Sequence, residues 1–194
     1  MNNKIIKSVA VYCGHQAGSN PEYLRDAQRV GELLARNKFT LVFGGGNVGL
    51  MGAVASAALD NGGEVIGIST THVVSLQEPA HDGIDVKIVD GLSTRKQEMY
   101  DLSDAFVILP GGIGTLDEMT DIMTKQQVGE SCKPIFMMNT AKYWEIFGQI
   151  MTHMQQEGFM PNPEDYNLHV VNTPEDLIKD LLNSDQFFTR CKAF

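Results

Sequence analysis

The chain has 194 residues, of which 43% are hydrophobic and 20% are charged, and this size and composition predict one domain, residues 1–194, with a single core. Its 24 acidic and 15 basic residues give a formal net charge of -9. That charge disfavours general binding to nucleic acid or to an anionic membrane, so an anionic ligand must be bound by local geometry.

The apolar segments and the cysteines indicate the cellular compartment of the protein. No apolar stretch approaches the roughly 20 residues of a membrane span, and the N-terminal apolar run is too short for a signal peptide. The cysteines Cys13, Cys132 and Cys191 form an odd set without a CxxC or Cys/His spacing. We therefore expect no disulfide framework, no metal site and a cytoplasmic protein.

Short apolar, β-branched runs recur along the chain and predict strands. They occupy residues 8–13, 40–43, 64–68, 86–89, 105–109, 134–138 and 168–171. Because the runs are apolar throughout, rather than alternating, they favour strands that are buried on both faces, as in a parallel sheet covered by helices.

Segments with helical spacing lie between these runs. The first begins with Asn20 as N-cap and Pro21 at the first helical position, and the others cover residues 50–59, 94–102, 115–128, 143–157 and a last helix opened by Thr173 and Pro174. Residues 70–83 show no clear period and predict a loop with a helical turn. The alternation predicts an α/β, doubly wound parallel sheet of about seven strands, with ligands bound beyond the carboxyl ends of the strands.

The first of two glycine-rich loops is residues 43–52 (FGGGNVGLMG), between a strand and a helix. Its glycines would let backbone amides approach a phosphate at the helix N-terminus. As a dinucleotide fingerprint the loop is weak, because the acidic ribose ligand expected after the next strand is replaced by Ser69 and Thr70. The alternative is that these glycines only permit a tight turn and close packing.

The second loop is residues 109–118 (LPGGIGTLDE). Three glycines and Thr115 at a helix start offer several amide donors and a hydroxyl, as a phosphate monoester requires. Glu118 follows three residues after Thr115, so it is either a functional carboxylate or the second member of a capping box.

Arg95 and Lys96 lie at the start of another predicted helix, where the helix dipole disfavours cations. An anionic group should therefore compensate their charge. The alternative is surface pairing with Glu98 or Asp101.

Residues 44–52, the Arg95-Lys96 pair with Met99, and residues 110–118 together resemble the signature of the LONELY GUY (LOG) family. Its members are cytokinin riboside 5'-monophosphate phosphoribohydrolases that have often been labelled lysine decarboxylases. The resemblance runs from Val11 to the helix near Leu177. It implies a Rossmann-like fold, a homodimer, and hydrolysis of a nucleoside 5'-monophosphate to free base and ribose 5-phosphate without a cofactor.

The resemblance also implies roles for individual residues. Arg95 and Glu118 would be catalytic, since a carboxylate beneath the ribose can stabilise the oxocarbenium-like charge of the transition state. The residues implied in binding the phosphate or the nucleotide are Gly45, Gly46, Gly49, Lys96, Met99, Gly111, Gly112, Gly114 and Thr115.

Three positions depart from the family pattern: His15 and Ser93 replace other residues, and Lys125 stands where a tryptophan is common. These changes touch expected base-pocket positions, so the choice between a cytokinin nucleotide and AMP stays open. The apolar Met119, Ile122 and Met123 would add surface for the homodimer.

Two other function classes have less support from the sequence. A pyridoxal phosphate decarboxylase needs a Schiff-base lysine in a pocket, and no local context marks Lys96, Lys125 or Lys133 for that role. A nucleotide sensor or molybdenum cofactor carrier of the same fold would need no catalytic groups, so Arg95 and Glu118 favour the enzyme.

Overall fold

The computed structural model describes residues 5–76 and 83–189, and its centre is a seven-stranded sheet. All strand pairs are parallel, in the order β4-β3-β2-β1-β5-β6-β7, which confirms the predicted parallel sheet. The strands are β1 (Ser8–Tyr12), β2 (Thr40–Phe43), β3 (Val65–Thr70), β4 (Asp85–Val89), β5 (Ala105–Ile108), β6 (Ile135–Met138) and β7 (Leu168–Val171).

Helices connect these strands, and those predicted from the sequence are confirmed within a few residues. They are α1 (Pro21–Arg36), α2 (Gly49–Asp60), α3 (Thr71–Leu76), α4 (Gly91–Leu102), α5 (Ile113–Gln127), α6 (Glu145–Gln156) and α7 (Pro174–Leu182), with 3-10 turns at Thr140–Lys142, Pro163–Asp165 and Ser184–Thr189.

The predicted helix starts have the expected caps. The Asn20 side chain accepts a hydrogen bond from the Glu22 amide ahead of α1, and that of Thr173 accepts from the Asp176 amide ahead of α7. The helical turn predicted within residues 70–83 is present as the short helix α3, and residues 77–82 of that segment lie outside the described residues.

The sheet is covered on both faces, as a doubly wound fold requires. Successive residues of β1 point to opposite faces: Val9 and Val11 belong to one core cluster, and Ala10 and Tyr12 to the other. Helices α1, α2 and α7 contribute to the first cluster, while α4, α5 and α6 contribute to the second. Burial on both faces explains why the central strands are apolar throughout.

The edge strand β4 departs from that pattern. The expectation that every strand is buried on both faces is wrong for it, because Ile88 is 48% exposed and Lys87 is exposed beside it. An edge strand pairs on one side only, and a lysine on its exposed face discourages pairing with another sheet.

The strand order positions the functional site. The chain winds outward from β1 to β4 and returns to the centre with β5, which pairs with β1 in the register Tyr12↔Ile108. The loops that follow β1 and β5 therefore leave the sheet side by side toward different helices. This topological switch point is where open α/β sheets form a ligand-binding crevice.

Two further expectations are corrected. The cysteines were expected to form no disulfide, yet Cys132 is disulfide-bonded, whereas Cys13 is a buried free thiol. Met119, Ile122 and Met123 were expected to offer surface to a second subunit, but they are 0%, 1% and 5% exposed within their own chain.

Over residues 5–76 and 83–189, no helix has the length and apolar character needed to cross a bilayer.

Candidate active site

A cavity of about 420 Å³ opens at the carboxyl ends of β1 and β5. The cavity is lined by the loop after β1, including His15 and Gln16, and by residues 110–115, which we call the PGG loop. Arg95 and Glu118 also line the cavity. The volume is in the range of small-molecule sites.

The PGG loop presents the N-terminus of α5 to this cavity. The N-cap is Gly112, with no side-chain cap hydrogen bond. Four amides at the start of an α-helix lack an intrahelical acceptor, here those of Gly112, Ile113, Gly114 and Thr115. All four residues line the cavity, so the wall carries backbone donors and the positive end of a helix dipole, a combination suited to an anion.

The glycines of the PGG loop differ in what they permit. A Cβ on Gly111 would lie 2.1 Å from Thr115 Oγ1, so the loop can turn back over the first helical turn only with glycine there. At Gly112 and Gly114 a Cβ would meet nothing within 4 Å. Packing does not require glycine at those two positions, which leaves room for a ligand against the bare backbone.

Glu118 faces Arg95 rather than the helix start. Arg95 Nη1 donates to Glu118 Oε1 over 2.8 Å, and the side chains are only 11% and 10% exposed. The capping-box alternative is wrong, because Thr115 is the third residue of α5 and not its N-cap. This ion pair is the only one formed by lining residues that the structure describes, and it is shielded from water.

Arg95 is held from a second direction. Its Nε donates to the carbonyl oxygen of Ile68, at 3.0 Å, on β3. The alternative of surface pairing for Arg95 is wrong, since Glu98 bonds Lys87 and Asp101 accepts from Gln97. The guanidinium therefore has a fixed position at the cavity.

The electrostatics of the site follow from burial. Loss of water raises the pKa of Glu118 above its ordinary value of 4.5, and the charge and hydrogen bond of Arg95 oppose that rise. Burial also raises the pKa of Tyr12 and Cys13, and Glu118 adds to both effects. The phenol and the thiol therefore stay neutral at pH 7, and a buried neutral thiol is a poor nucleophile.

The first glycine loop contacts the cavity through Gly44 alone among its glycines. A Cβ on Gly44 would lie 2.2 Å from Arg95 Nη2, so glycine makes room for the guanidinium. Gly49 has a positive φ of +61, and a Cβ on it would lie 2.3 Å from the backbone carbon of His15. The Gly46 amide donates to Met51 Sδ over 3.2 Å.

Gly45, Gly46 and Gly49 therefore support the site without lining it. Gly45 also has a positive φ, of +78. Of the two interpretations of this loop, the geometry of these three residues favours the tight turn and close packing.

Lys96 and Met99 lie away from the cavity wall as well. Lys96 Nζ bonds Asp117 at 2.9 Å and Asp121 at 3.3 Å, while Met99 is fully buried in the core beneath the sheet. No lysine is present among the described residues that line the cavity, and the described chain contains no cluster of three metal-ligating side chains.

Several lining residues were not predicted from the sequence. Tyr12, Tyr23, Val73 and Tyr143 come from β1, α1, α3 and the segment after β6. His15 lines the cavity, and its place directly after the first strand is itself a signal for a ligand-binding position. That signal could also have found Gln16, whereas Tyr143 lies far along the chain from every motif.

Similar proteins are known for most of the chain. A family model described as "possible lysine decarboxylase" matches residues 51–181. A cytokinin riboside 5'-monophosphate phosphoribohydrolase of Rhodococcoides fascians is 39% identical over 155 residues, covering 79% of this chain and 78% of that protein. The protein of the same name from Mycobacterium tuberculosis is 37% identical over 172 residues, covering 89% and 91%.

Solved structures show the same fold at lower identity. The molybdenum cofactor carrier protein of Chlamydomonas reinhardtii has a TM-score of 0.67 at 21% identity, with 91% of this chain and 98% of that chain covered. The molybdenum cofactor binding protein of Rippkaea orientalis has a TM-score of 0.66 at 24% identity, covering 91% and 95%. At these identities the likeness concerns the fold alone.

Proposed function

The chain belongs to the LONELY GUY (LOG) family, and from that membership we propose that it hydrolyses the N-glycosidic bond of a nucleoside 5'-monophosphate, giving a free base and ribose 5-phosphate. One observation carries the proposal. An uncapped helix N-terminus and a buried carboxylate paired with arginine line the same cavity. The first suits the phosphate, and the second suits the ribose.

The phosphate would bind at the PGG loop. Gly111, Gly112, Gly114 and Thr115 provide amides and a hydroxyl at the start of α5, where a dianion is favoured. This group is remote from the bond that breaks. Its binding energy can therefore be used to hold the sugar in a reactive position.

Glu118 would lie beneath the ribose. As the bond to the base breaks, positive charge develops on the sugar ring, and an ionised carboxylate that is itself shielded from water stabilises it. Water then adds its oxygen to the anomeric carbon, and its proton balances the departing base. Arg95 opposes the rise that burial causes in the pKa of Glu118, and its hydrogen bond directs the carboxylate.

The carrier alternative has less support. The similarity to molybdenum cofactor carriers is a similarity of fold, and fold alone does not determine function. A carrier also has no need for a buried Arg-Glu pair in its cavity. The decarboxylase label is not supported either, because a Schiff-base lysine is absent from the described cavity wall.

The experiment is incubation of the purified protein with AMP and, separately, with isopentenyladenosine monophosphate, followed by chromatography for the free base. Release of adenine or isopentenyladenine supports the proposal, and the ratio of the two rates gives the base preference. If neither nucleotide yields base while both bind, the carrier alternative is favoured.

Three further features are proposals from the sequence and the family resemblance. We propose a homodimer, a single domain over residues 1–194, and a cytoplasmic location, with no nucleic acid among the partners. Cell fractionation is the direct test of location.

A further inference from the structure

Tyr143 contacts the PGG loop from a distant part of the chain. Its hydroxyl donates to the carbonyl oxygen of Gly111 over 2.6 Å, across 32 residues of sequence. Its ring packs edge-on against Tyr23 at 5.6 Å and against Trp144 at 4.9 Å between centroids. Tyr143 is 38% exposed and lines the cavity.

The segment that carries Tyr143 is anchored to the rest of the domain. The Thr140 hydroxyl donates to Asp26 Oδ2 of α1 over 2.7 Å, and the amide of Asn139 donates to the Val171 carbonyl over 2.8 Å. The Trp144 amide donates to Asn139 Oδ1 over 2.9 Å. Tyr143 therefore approaches Gly111 from a fixed support.

The hydrogen bond from Tyr143 fixes the orientation of a peptide plane in the PGG loop. In a planar trans peptide the carbonyl and the following N–H point in opposite directions. The Pro110 carbonyl is held by the Gly14 amide at 3.0 Å, which orients the N–H of Gly111. The Gly111 carbonyl is held by Tyr143, which orients the N–H of Gly112.

Such restraint matters because a Gly-Gly pair has more backbone freedom than any other dipeptide. When a loop becomes ordered only on ligand binding, the entropy cost of ordering it weakens the affinity. A loop that is already held in place avoids that cost. We propose that Tyr143 is a positioning residue that pre-orders the Gly112 amide for the phosphate group of the nucleotide. This inference rests on the proposed function for the nucleotide and for the binding of its phosphate at the PGG loop.

The test is Tyr143→Phe, which removes the hydroxyl and keeps the ring. We expect its Kd for ribose 5-phosphate, measured by calorimetry, to rise about tenfold, the usual effect of one lost hydrogen bond. The KM for AMP should rise by a similar factor with kcat within about twofold of wild type, because the carboxylate is untouched. The matched control is Tyr166→Phe, which loses a hydroxyl contact to Gln127 outside the cavity.

The outcomes separate the two proposals. Wild type that binds ribose 5-phosphate but releases no base contradicts the hydrolase and leaves the binding comparison valid. Unchanged ribose 5-phosphate affinity in Tyr143→Phe overturns the positioning role, as does a fall in kcat at constant KM. Wild type with no affinity for ribose 5-phosphate overturns it as well, and an equal loss in Tyr166→Phe would show a general effect of removing a hydroxyl.

Discussion

Glu118 is the residue whose chemistry depends most on its surroundings. On the sequence it could belong to a capping box, but in the structure it is buried against Arg95. Burial raises the pKa of the carboxylate, and the neighbouring guanidinium opposes that rise. Within this pair, which is shielded from water, the guanidinium therefore lowers the pKa of Glu118 relative to what burial alone would give.

Replacing Glu118 by glutamine should separate charge from shape. The amide oxygen can still accept from Arg95, while the negative charge is lost, so kcat should fall by about a hundredfold or more with nucleotide binding retained. Steady-state kinetics and calorimetry with the same nucleoside monophosphate measure the two effects.

The matched control for this substitution is Glu98→Gln, which removes a half-buried carboxylate paired with Lys87 away from the cavity and should leave kcat unchanged. A Glu118→Gln protein that melts like wild type and releases base at a comparable rate would contradict the catalytic role.

The pH dependence follows from the same pair. Because the pKa of Glu118 is raised above 4.5, the ionised form is present above that raised value and is lost as the pH falls through it. The acid limb of kcat/KM should therefore lie above pH 4.5. In Arg95→Ala the limb should move to higher pH, because the charge that lowers this pKa is gone, and KM should rise while kcat falls.

A pH series of kcat/KM on wild type and Arg95→Ala measures both effects. Lys87→Ala, at an exposed pair, is the control. An acid limb at the same pH in the Arg95 variant would show that the ion pair does not set the charge of Glu118.

Among the structural elements, the two glycine-rich loops have different roles, although each joins a strand to a helix. The PGG loop exposes the α5 amides to the cavity. The loop before α2 supports the site instead: Gly44 makes room for Arg95, and Gly49 lies against the backbone of His15. Two glycine-rich loops of similar sequence can thus serve different purposes: one allows close packing, and the other lets a ligand approach the backbone.

Gly44→Ala tests the supporting role. Its Cβ would overlap Arg95 Nη2, so the guanidinium must shift away from Glu118, and kcat should fall about tenfold or more because a small misplacement at the reacting centre is costly. The acid limb should move upward, as in Arg95→Ala. Kinetics over a pH series provide both readouts.

Gly148→Ala in α6 is the control for this steric argument. A Cβ there meets nothing within 4 Å, and alanine favours a helix over glycine by about 0.5–1 kcal/mol, so activity should be unchanged and Tm slightly higher. Full activity in Gly44→Ala would mean that Arg95 accommodates the methyl group without leaving Glu118.

For the whole molecule, the prediction that remains to be tested is that the chain forms a homodimer. The apolar residues first expected at a subunit interface are buried in the core of the chain itself, so the homodimer now rests on the family resemblance alone. Light scattering at micromolar concentration should give twice the 21.3 kDa of one chain. A particle of 21.3 kDa would refute the dimer.

The fold class and the PGG loop could be predicted from the sequence because both depend on local properties. Strand runs, helix caps at Asn20 and Thr173, and a glycine-rich turn into a helix are determined by residues within a few positions of one another. The candidate catalytic residues were identified through the family resemblance, not by spacing, since Thr115 and Glu118 fit a capping box equally well.

Tertiary structure decided the contacts that give these residues their roles. Arg95 and Glu118 lie 23 residues apart on α4 and α5, and Tyr143 reaches Gly111 only because β6 lies beside β5 in the sheet. The exposure of β4 and the burial of Met119, Ile122 and Met123 also depend on strand order and helix placement. Local propensity contains no information about which distant elements become neighbours, whereas long-range packing determines burial, charge pairing and the shape of the cavity.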